Sequence, residues 1–543
     1  MPTARPGTYI GATLALATWA AVFGGCDTRP TSDGAVTEHC GDPAFAADHT
    51  TLCFGGCKDP VIRETAACVP CAGAPDDPLC GGSVGTSGSS GSTDDGSGIE
   101  TVGATESGSE SESGSSSSGA PASCGDDNLD PGEECDDGNR VGGDRCEADC
   151  TLPVAQTPVE LLTSGSSFSC AVAGSQVKCW GDLQPATGSG FIGGIAPPAA
   201  RFPELDLGGT VVDISAGFTH ACALLDDDTV RCWGTGGVGM LGYGNILDIG
   251  DDETPASAGA VDVGSGVVQV AAAGANSCAR FADGTVRCWG SGMFGLLGLP
   301  GLLEDIGDDE APSSVGPIDL GGDAIALGIG IDVACALLDD GDVVCWGLNA
   351  FGAAGYGHTN IVGDDESPAM AGPVDVGGTV VELAVGGQGV CVRLDDDAVR
   401  CWGRNQFGQL GYGNVDTIGD DEVPSTAGDV DVGGTVVQLS KGDFTTCARL
   451  DTDEIKCWGR GEFGLPGQQG VDNIGDDETP ADIPVIEVGG AVAYVDAGRD
   501  FNCALLVNGA VRCWGSGVML GYGGTEHVGD DETPADAGDV EVF

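Results

Sequence analysis

Short apolar runs broken by glycine and aspartate set the rhythm of this chain. Around the sixth of its recurrent cysteine pairs, an apolar run at residues 435–439 leads to a bend at Lys441-Gly442. A segment built like a hairpin follows at residues 444–459, and then a glycine-rich acidic loop. A further run, Asp429-Val430-Asp431-Val432, precedes the unit. Runs this short, rich in Val, Leu, Cys and Trp and bounded by Gly, Asp and Asn, predict β-strands rather than helices.

The hairpin segment recurs. Its clearest copy is CALLDDDTVRCWG at residues 222–234, and first cysteines fall at 170, 222, 278, 335, 391, 447 and 503. The spacing is 56 or 57 residues after a first step of 52. Each second cysteine opens a Cys-Trp-Gly, at Cys179, Cys232, Cys288, Cys345, Cys401, Cys457 and Cys513. A three-residue turn at 226–228 pairs Leu225 with Thr229 and sets Cys222 opposite Cys232. In the first copy the cysteines are one residue closer and the turn shrinks to Gly174-Ser175, which again sets Cys170 opposite Cys179. Keeping the pair in register across a length change is what a disulfide within the hairpin requires. Seven bridges are therefore expected: Cys170–Cys179, Cys222–Cys232, Cys278–Cys288, Cys335–Cys345, Cys391–Cys401, Cys447–Cys457 and Cys503–Cys513. The tryptophan after each second cysteine should point to the opposite face of the sheet.

Four short strands per unit at this period predict an all-β chain folded as a seven-bladed propeller, one blade per unit. The first unit lacks a preceding Asp-Val-Asp-Val run, and the sequence carries an extra one at residues 539–543. That run is expected to complete the sheet of the first unit and close the ring.

Composition narrows the setting. The 84 acidic residues against 20 basic ones give a net charge of -64. Such a field repels phosphate backbones and excludes nucleic acid as a partner. Twenty-five cysteines argue for an oxidising compartment. Zinc fits poorly, because the paired cysteines face each other and His39, His49, His220, His358 and His527 form no recurring ligand set.

The amino-terminal region agrees with export. Arg5 precedes an apolar run, and residues 1–25 read as a signal peptide. Val22-Phe23-Gly24-Gly25-Cys26 resembles the lipobox of bacterial lipoproteins, and with the other 24 cysteines able to pair, Cys26 is the expected lipidation site. Residues 26–80 hold six further cysteines and read as a stapled mini-domain. Residues 81–123 contain no Lys, Arg or aromatic residue and read as a disordered Gly/Ser-rich linker; as a coil it would span roughly 35 to 40 Å. Residues 124–150 carry Gly132-Glu133-Glu134-Cys135-Asp136-Asp137-Gly138-Asn139, which resembles the cysteine-rich repeat of myxobacterial surface proteins and implies a disulfide knot without chemistry.

Residues 154–543 hold the repeats. Trp402-Gly403-Arg404-Asn405-Gln406-Phe407-Gly408-Gln409-Leu410-Gly411 and the Cys-Ala-Leu hairpin starts resemble the regulator of chromosome condensation family, in particular its exported bacterial members. The resemblance implies a seven-bladed propeller. The eukaryotic founder exchanges nucleotide on a nuclear GTPase, an activity the fold alone does not carry and a partner that an exported chain would not meet.

Candidate chemistry is confined to a second repeated signature, Gly-Asp-Asp-Glu. It supplies Asp251, Asp252 and Glu253; Asp308, Asp309 and Glu310; Asp364, Asp365 and Glu366; Asp420, Asp421 and Glu422; Asp476, Asp477 and Glu478; and Asp530, Asp531 and Glu532. Crowded carboxylates of this kind suit calcium, which takes six to eight oxygen ligands, while turn residues facing water are the alternative. Six near-identical clusters do not make one differentiated acid/base pair, and no nucleophile elbow or Walker loop is present. No enzyme activity and no catalytic or cofactor-binding residue is expected. The expectation is a monomeric, lipid-anchored or secreted envelope protein binding another surface protein or a polysaccharide. An inhibitor, as among exported propellers of this resemblance that block β-lactamases, and a structural coat are the alternatives. Met240, Phe294, Phe351, Phe407, Phe463 and Met519, near the Trp-Gly motifs, are expected to be blade core or an apolar ring on one face.

Overall fold

The computed structural model describes residues 158–181 and 204–543. The expected signal segment, Cys26, both cysteine-rich stretches and the 81–123 linker lie outside the described residues. The described chain forms seven antiparallel sheets of three strands, taken from the sequence in order. They are numbered here as blades 1 to 7. In blade 5 the inner strand Val380–Gly386 pairs with the middle strand Gly389–Leu394, which pairs with the outer strand Val399–Gly403.

The hairpin between middle and outer strands follows the spacing of the sequence. Thr229 accepts a hydrogen bond at its carbonyl from the Leu225 N–H, 2.9 Å away, across the three-residue turn. The last turn residue adopts a left-handed conformation, at φ 65, 69 and 62° in Asp228, Asp397 and Asp453; glycine takes that place in blades 3, 4 and 7. Cys222 lies opposite Cys232, and Cys170 opposite Cys179 despite the shorter turn. All seven pairs are disulfide-bonded, with Cα atoms 4.0–4.1 Å apart. Disulfides at this density belong to an oxidising environment.

The fourth strand does not form. The outer run of blade 5 gives one backbone hydrogen bond to its sheet, from the Val430 N–H to the Val399 carbonyl at 2.8 Å. The neighbouring ladder position is already taken, because the Tyr412 hydroxyl accepts from the Cys401 N–H (3.1 Å) and donates to the Cys401 carbonyl (3.0 Å). Tyr243, Tyr356 and Tyr522 do the same for Cys232, Cys345 and Cys513. A tyrosine hydroxyl thus takes that position in four blades, while blades 3 and 6, with Leu299 and Gln468 there, also stop at three strands.

Blades pack through two different faces. All fourteen bridged cysteines and all seven tryptophans of the repeats are buried. The disulfide face meets the next blade, as where the Cys222 sulfur lies 3.5 Å from the Ser277 hydroxyl. The indole face meets the preceding one, where Trp289, Trp346, Trp402 and Trp514 donate from Nε1 to the carbonyls of Met240, Leu296, Ala353 and Leu465 at 2.8–3.0 Å. A buried indole usually finds such an acceptor, although Trp180 and Trp458 have none among the described residues. Met240 is therefore core.

The ring closes without sharing a strand. Residues 539–543 cap their own sheet, blade 7, through Val540 N–H to the Val511 carbonyl at 2.8 Å, rather than completing blade 1 as the sequence suggested. The outer position of blade 1 is already taken by a run of its own, where the Leu205 N–H bonds the Val177 carbonyl at 2.8 Å, so that blade has no place for residues 539–543. Closure comes from side chains: Val540 packs against Trp180 over Gly521, and the Lys178 ammonium sits 5.6 Å from the Phe543 ring centre. At the opposite end of the same joint the Val159 N–H bonds the Gly509 carbonyl at 3.1 Å, as Val380 does to Gly341 at 3.0 Å between blades 4 and 5.

Candidate functional site

The inner strands touch one another around the ring and enclose a central channel. At one end, the turns between inner and middle strands surround a cavity of about 150 Å³. Small residues bring these turns together: a Cβ at Gly386 or Gly442 would collide with the carbonyls of Lys441 and Gly498 on the next blade. This is the turn end of the channel; the hairpin turns lie at the other end.

The repeats stop being alike at the turn end. In blades 5 to 7, Arg404, Lys441, Arg460 and Arg499 gather beside Asp332, Asp443, Asp500 and five phenylalanines. Arg460 lies over the rings of Phe407, Phe444 and Phe463 at 5.8, 5.0 and 5.4 Å, and its Nη1 is 3.0 Å from Asp500 Oδ1. Arg499 lies over Phe444 and Phe218 at 5.7 and 5.5 Å and meets Asp500 and Asp443 at 3.6 and 3.9 Å. Arg404 lies over Phe351 at 5.1 Å and donates to Gln388 at 2.7 Å; Gln388 in turn donates to Asp332. Phe407 and Phe444 meet edge to face. Phe463 is held at φ 66°, a conformation rare for a bulky side chain. The result is one continuous belt of guanidinium groups stacked on phenyl rings, with Phe351 37% exposed.

Electrostatics at the belt are finely balanced. Burial pushes the Asp443 carboxyl up to about 6 although Arg499 and Lys441 pull it down. Burial lowers the Lys441 ammonium to about 8; it donates to the carbonyls of Gly442 and Thr445 at 3.1 and 3.4 Å. Four cations face four carboxylates, Asp332, Asp443, Asp500 and the Glu462 that pairs with Arg460, so this patch is close to neutral on a strongly acidic chain.

The six Gly-Asp-Asp-Glu loops fall one in each of blades 2 to 7, and three of them lie next to the belt, where the Asp420, Asp476 and Asp530 backbones pack against Gly352, Gly408 and Gly464, the residues that follow Phe351, Phe407 and Phe463. The three carboxylates at 251–253, 308–310, 364–366, 420–422 and 476–478 approach within 4.8 Å of one another, and all of these are exposed or half-buried. Each glutamate is raised. In Glu366 a hydrogen bond that its protonated form donates to Asp365, together with burial, brings it to about 7, and in Glu532 burial and the bond to Asp531 do the same. His220 is buried and its Nε2 meets the Ser277 hydroxyl at 2.8 Å, so it packs between blades, and burial lowers its imidazole to about 4. Asn405 of the Trp-Gly motif is buried too: its Oδ1 accepts from Leu410 N–H and its amide donates to Asn414 and Asp416, which fixes the loop.

Sequence reasoning placed Phe351, Phe407 and Phe463 in a ring or in the core but did not find the belt. Its signal lies in departures from the repeat. Arg404 and Arg460 follow Trp-Gly where other copies have Thr235, Ser291, Leu348 and Ser516, and Arg499 takes the place of Phe218.

A ring of seven small β-sheets around a channel defines the class, a β-propeller, and the sequence says which kind. Residues 211–239, 325–353, 380–409 and 492–519, within blades 2, 4, 5 and 7, match the Regulator of chromosome condensation (RCC1) repeat. The chain carries RCC1 repeats and is similar to RCC1-like propellers. The E3 ubiquitin-protein ligase HERC2 of Homo sapiens is 29% identical over 252 residues, which is 46% of this chain but 5% of that protein. The Ultraviolet-B receptor UVR8 of Arabidopsis thaliana is 26% identical over 370 residues, 67% of this chain and 79% of the receptor. Among solved structures, human WBSCR16 matches with a TM-score of 0.50 at 19% identity, covering 60% of this chain and 82% of that one. Prp20p of Saccharomyces cerevisiae matches with a TM-score of 0.50 at 18% identity over 64% and 82%. These likenesses concern the fold.

Proposed function

We propose that the chain is an exported, non-catalytic binding protein, held at the cell envelope by a lipid on Cys26, whose propeller engages a protein partner through the arginine–phenylalanine belt. The observation that carries this reading is the belt itself: Arg404, Arg460 and Arg499 stacked on phenylalanines at one end of an otherwise repetitive ring. Aromatic residues and arginine are the types enriched at protein interfaces, where stacked guanidinium groups offer donors without much loss of side-chain freedom. Local charge balance lets a surface approach closely despite the acidity of the whole. The 81–123 linker would hold the ring away from a membrane.

The test is affinity capture from envelope extracts with the full chain, run in calcium and in chelator. A partner retained by the wild type and lost by the Arg404→Ala, Arg460→Ala, Arg499→Ala triple variant, with an unchanged melting curve, is the expected result. Equal retention by both proteins would remove the belt as the site. Loss in chelator would assign the Gly-Asp-Asp-Glu loops a cation.

A further inference from the structure

The hairpin end of the channel has a different surface. In blades 2 to 7 the pairing of inner with middle strand skips one residue: Val212, Val268, Ile325, Val381, Val437 and Ala493. An extra residue in one strand of a pair is a β-bulge, which re-aims a side chain and is seldom accidental. Here the bulges lie on the strands nearest the channel axis, next to the hairpin turns. Val212, Val268, Ile325 and Val381 are 51, 41, 51 and 45% exposed. Apolar side chains left open at one register position in blade after blade form a ring, and open apolar surface of this kind marks an interaction site.

The rim around that ring is acidic. Asp227, Asp283, Asp340, Asp396 and Asp451 stand exposed on the hairpin turns. Three arginines on the middle strands at this end are already engaged: Arg280 donates to Gln269 at 3.0 Å and to the Ala324 carbonyl at 3.4 Å, and Arg393 and Arg449 pair with Asp397 and Asp453 at 3.7 and 2.9 Å. An apolar centre within a polar rim is how interface energy is usually arranged, with the centre supplying affinity and the rim selecting partners and speeding encounter.

We propose that the hairpin end of the channel docks a cationic peptide segment, which places an apolar side chain in the ring of bulged residues while its Lys or Arg side chains meet the aspartate rim. An acidic segment is repelled there. The site is separate from the arginine–phenylalanine belt, which lies at the other end of the channel.

Fluorescence anisotropy with the full chain tests this, using a short labelled peptide of alternating Lys and Leu beside Lys/Ser and Glu/Leu counterparts. The Lys/Leu peptide is expected to bind at least about tenfold more tightly than Lys/Ser, the gain from burying one or two aliphatic side chains, and Glu/Leu not at all. Val268→Ser, Ile325→Ser and Val381→Ser together should remove that advantage. Asp227→Asn, Asp340→Asn and Asp396→Asn should weaken both Lys peptides and flatten the salt dependence. Asparagine keeps the turn acceptors for Thr229, Asp342 and Ala398 N–H, so this second variant should keep its turns even if the first unfolds. Equal affinity for Lys/Leu and Lys/Ser, or an unchanged Lys/Leu affinity in the serine variant, overturns the proposal. The Arg404→Ala, Arg460→Ala, Arg499→Ala protein should bind Lys/Leu as the wild type does, which keeps this outcome distinct from the fate of the belt.

Discussion

Asp496 shows how much can rest on one side chain. Its carboxylate is packed into the channel wall and reaches blades on either side: it accepts the Ser164 N–H of blade 1 at 2.6 Å and the Ser440 hydroxyl of blade 6 at 3.3 Å. In other blades a neutral hydroxyl takes the corresponding role, as Ser440 does for Ala497 N–H and Ser215 for Ala272 N–H. Burial raises the Asp496 carboxyl to about 7, outweighing those hydrogen bonds. A carboxyl raised on folding favours the native state below its unfolded value and loses that contribution as pH climbs through the folded one. Stability should therefore fall between about pH 4 and pH 7 on account of Asp496, by up to about 4 kcal/mol. His220 acts oppositely, since its lowered imidazole costs stability as pH drops from the usual histidine range towards 4. Melting curves across this range should show a shallower decline in Asp496→Asn than in the wild type. Identical pH profiles would mean that the carboxyl is not buried as described.

At the scale of the element, a single hydroxyl satisfies the backbone at the outer edge of a blade. Tyr412 satisfies both backbone groups of Cys401 that a fourth strand would otherwise pair. Tyr412→Phe leaves two enclosed polar groups without that partner and should cost about 1 to 3 kcal/mol, read as a lower denaturation midpoint. No change would show that water or the outer run takes over. The blade edge also shows what could be read from the sequence. Hairpin register, the disulfides and the propeller repeat depend on local spacing and the alternation of side chains, which a sequence displays. The absence of a fourth strand was not readable, because the Asp-Val-Asp-Val run alternates like a strand, although it reaches its sheet through the Val430 N–H and the ladder does not continue. The belt was illegible for another reason. Repeat analysis brings out what copies share, whereas Arg404, Arg460 and Arg499 matter because they differ, and only the ring brings them together.

The whole molecule is held at its joint between blades 7 and 1 by packing, not by an exchanged strand. Val540 and Val542 are buried there, Arg512 binds Asp539 at 2.6 Å, and Phe543 meets Lys178. Removing residues 539–543 should lower the melting temperature by roughly 5 to 10 °C, from two buried valines and an uncovered Trp180. An unchanged melt would show that the joint needs no such cover.

This joint stacks blade on blade as the other six do, with contacts of its own only in detail at Lys178–Phe543 and Asp496–Ser164, so the ring could as well begin at another joint. Cutting between any two blades and splicing residue 543 to residue 158 through a short linker would give a circular permutant with the same neighbours, the same disulfides and the same two channel ends. An architecture of this kind can gain, lose or reorder blades by simple duplication of a contiguous stretch, while selection alters a few turn residues at either mouth.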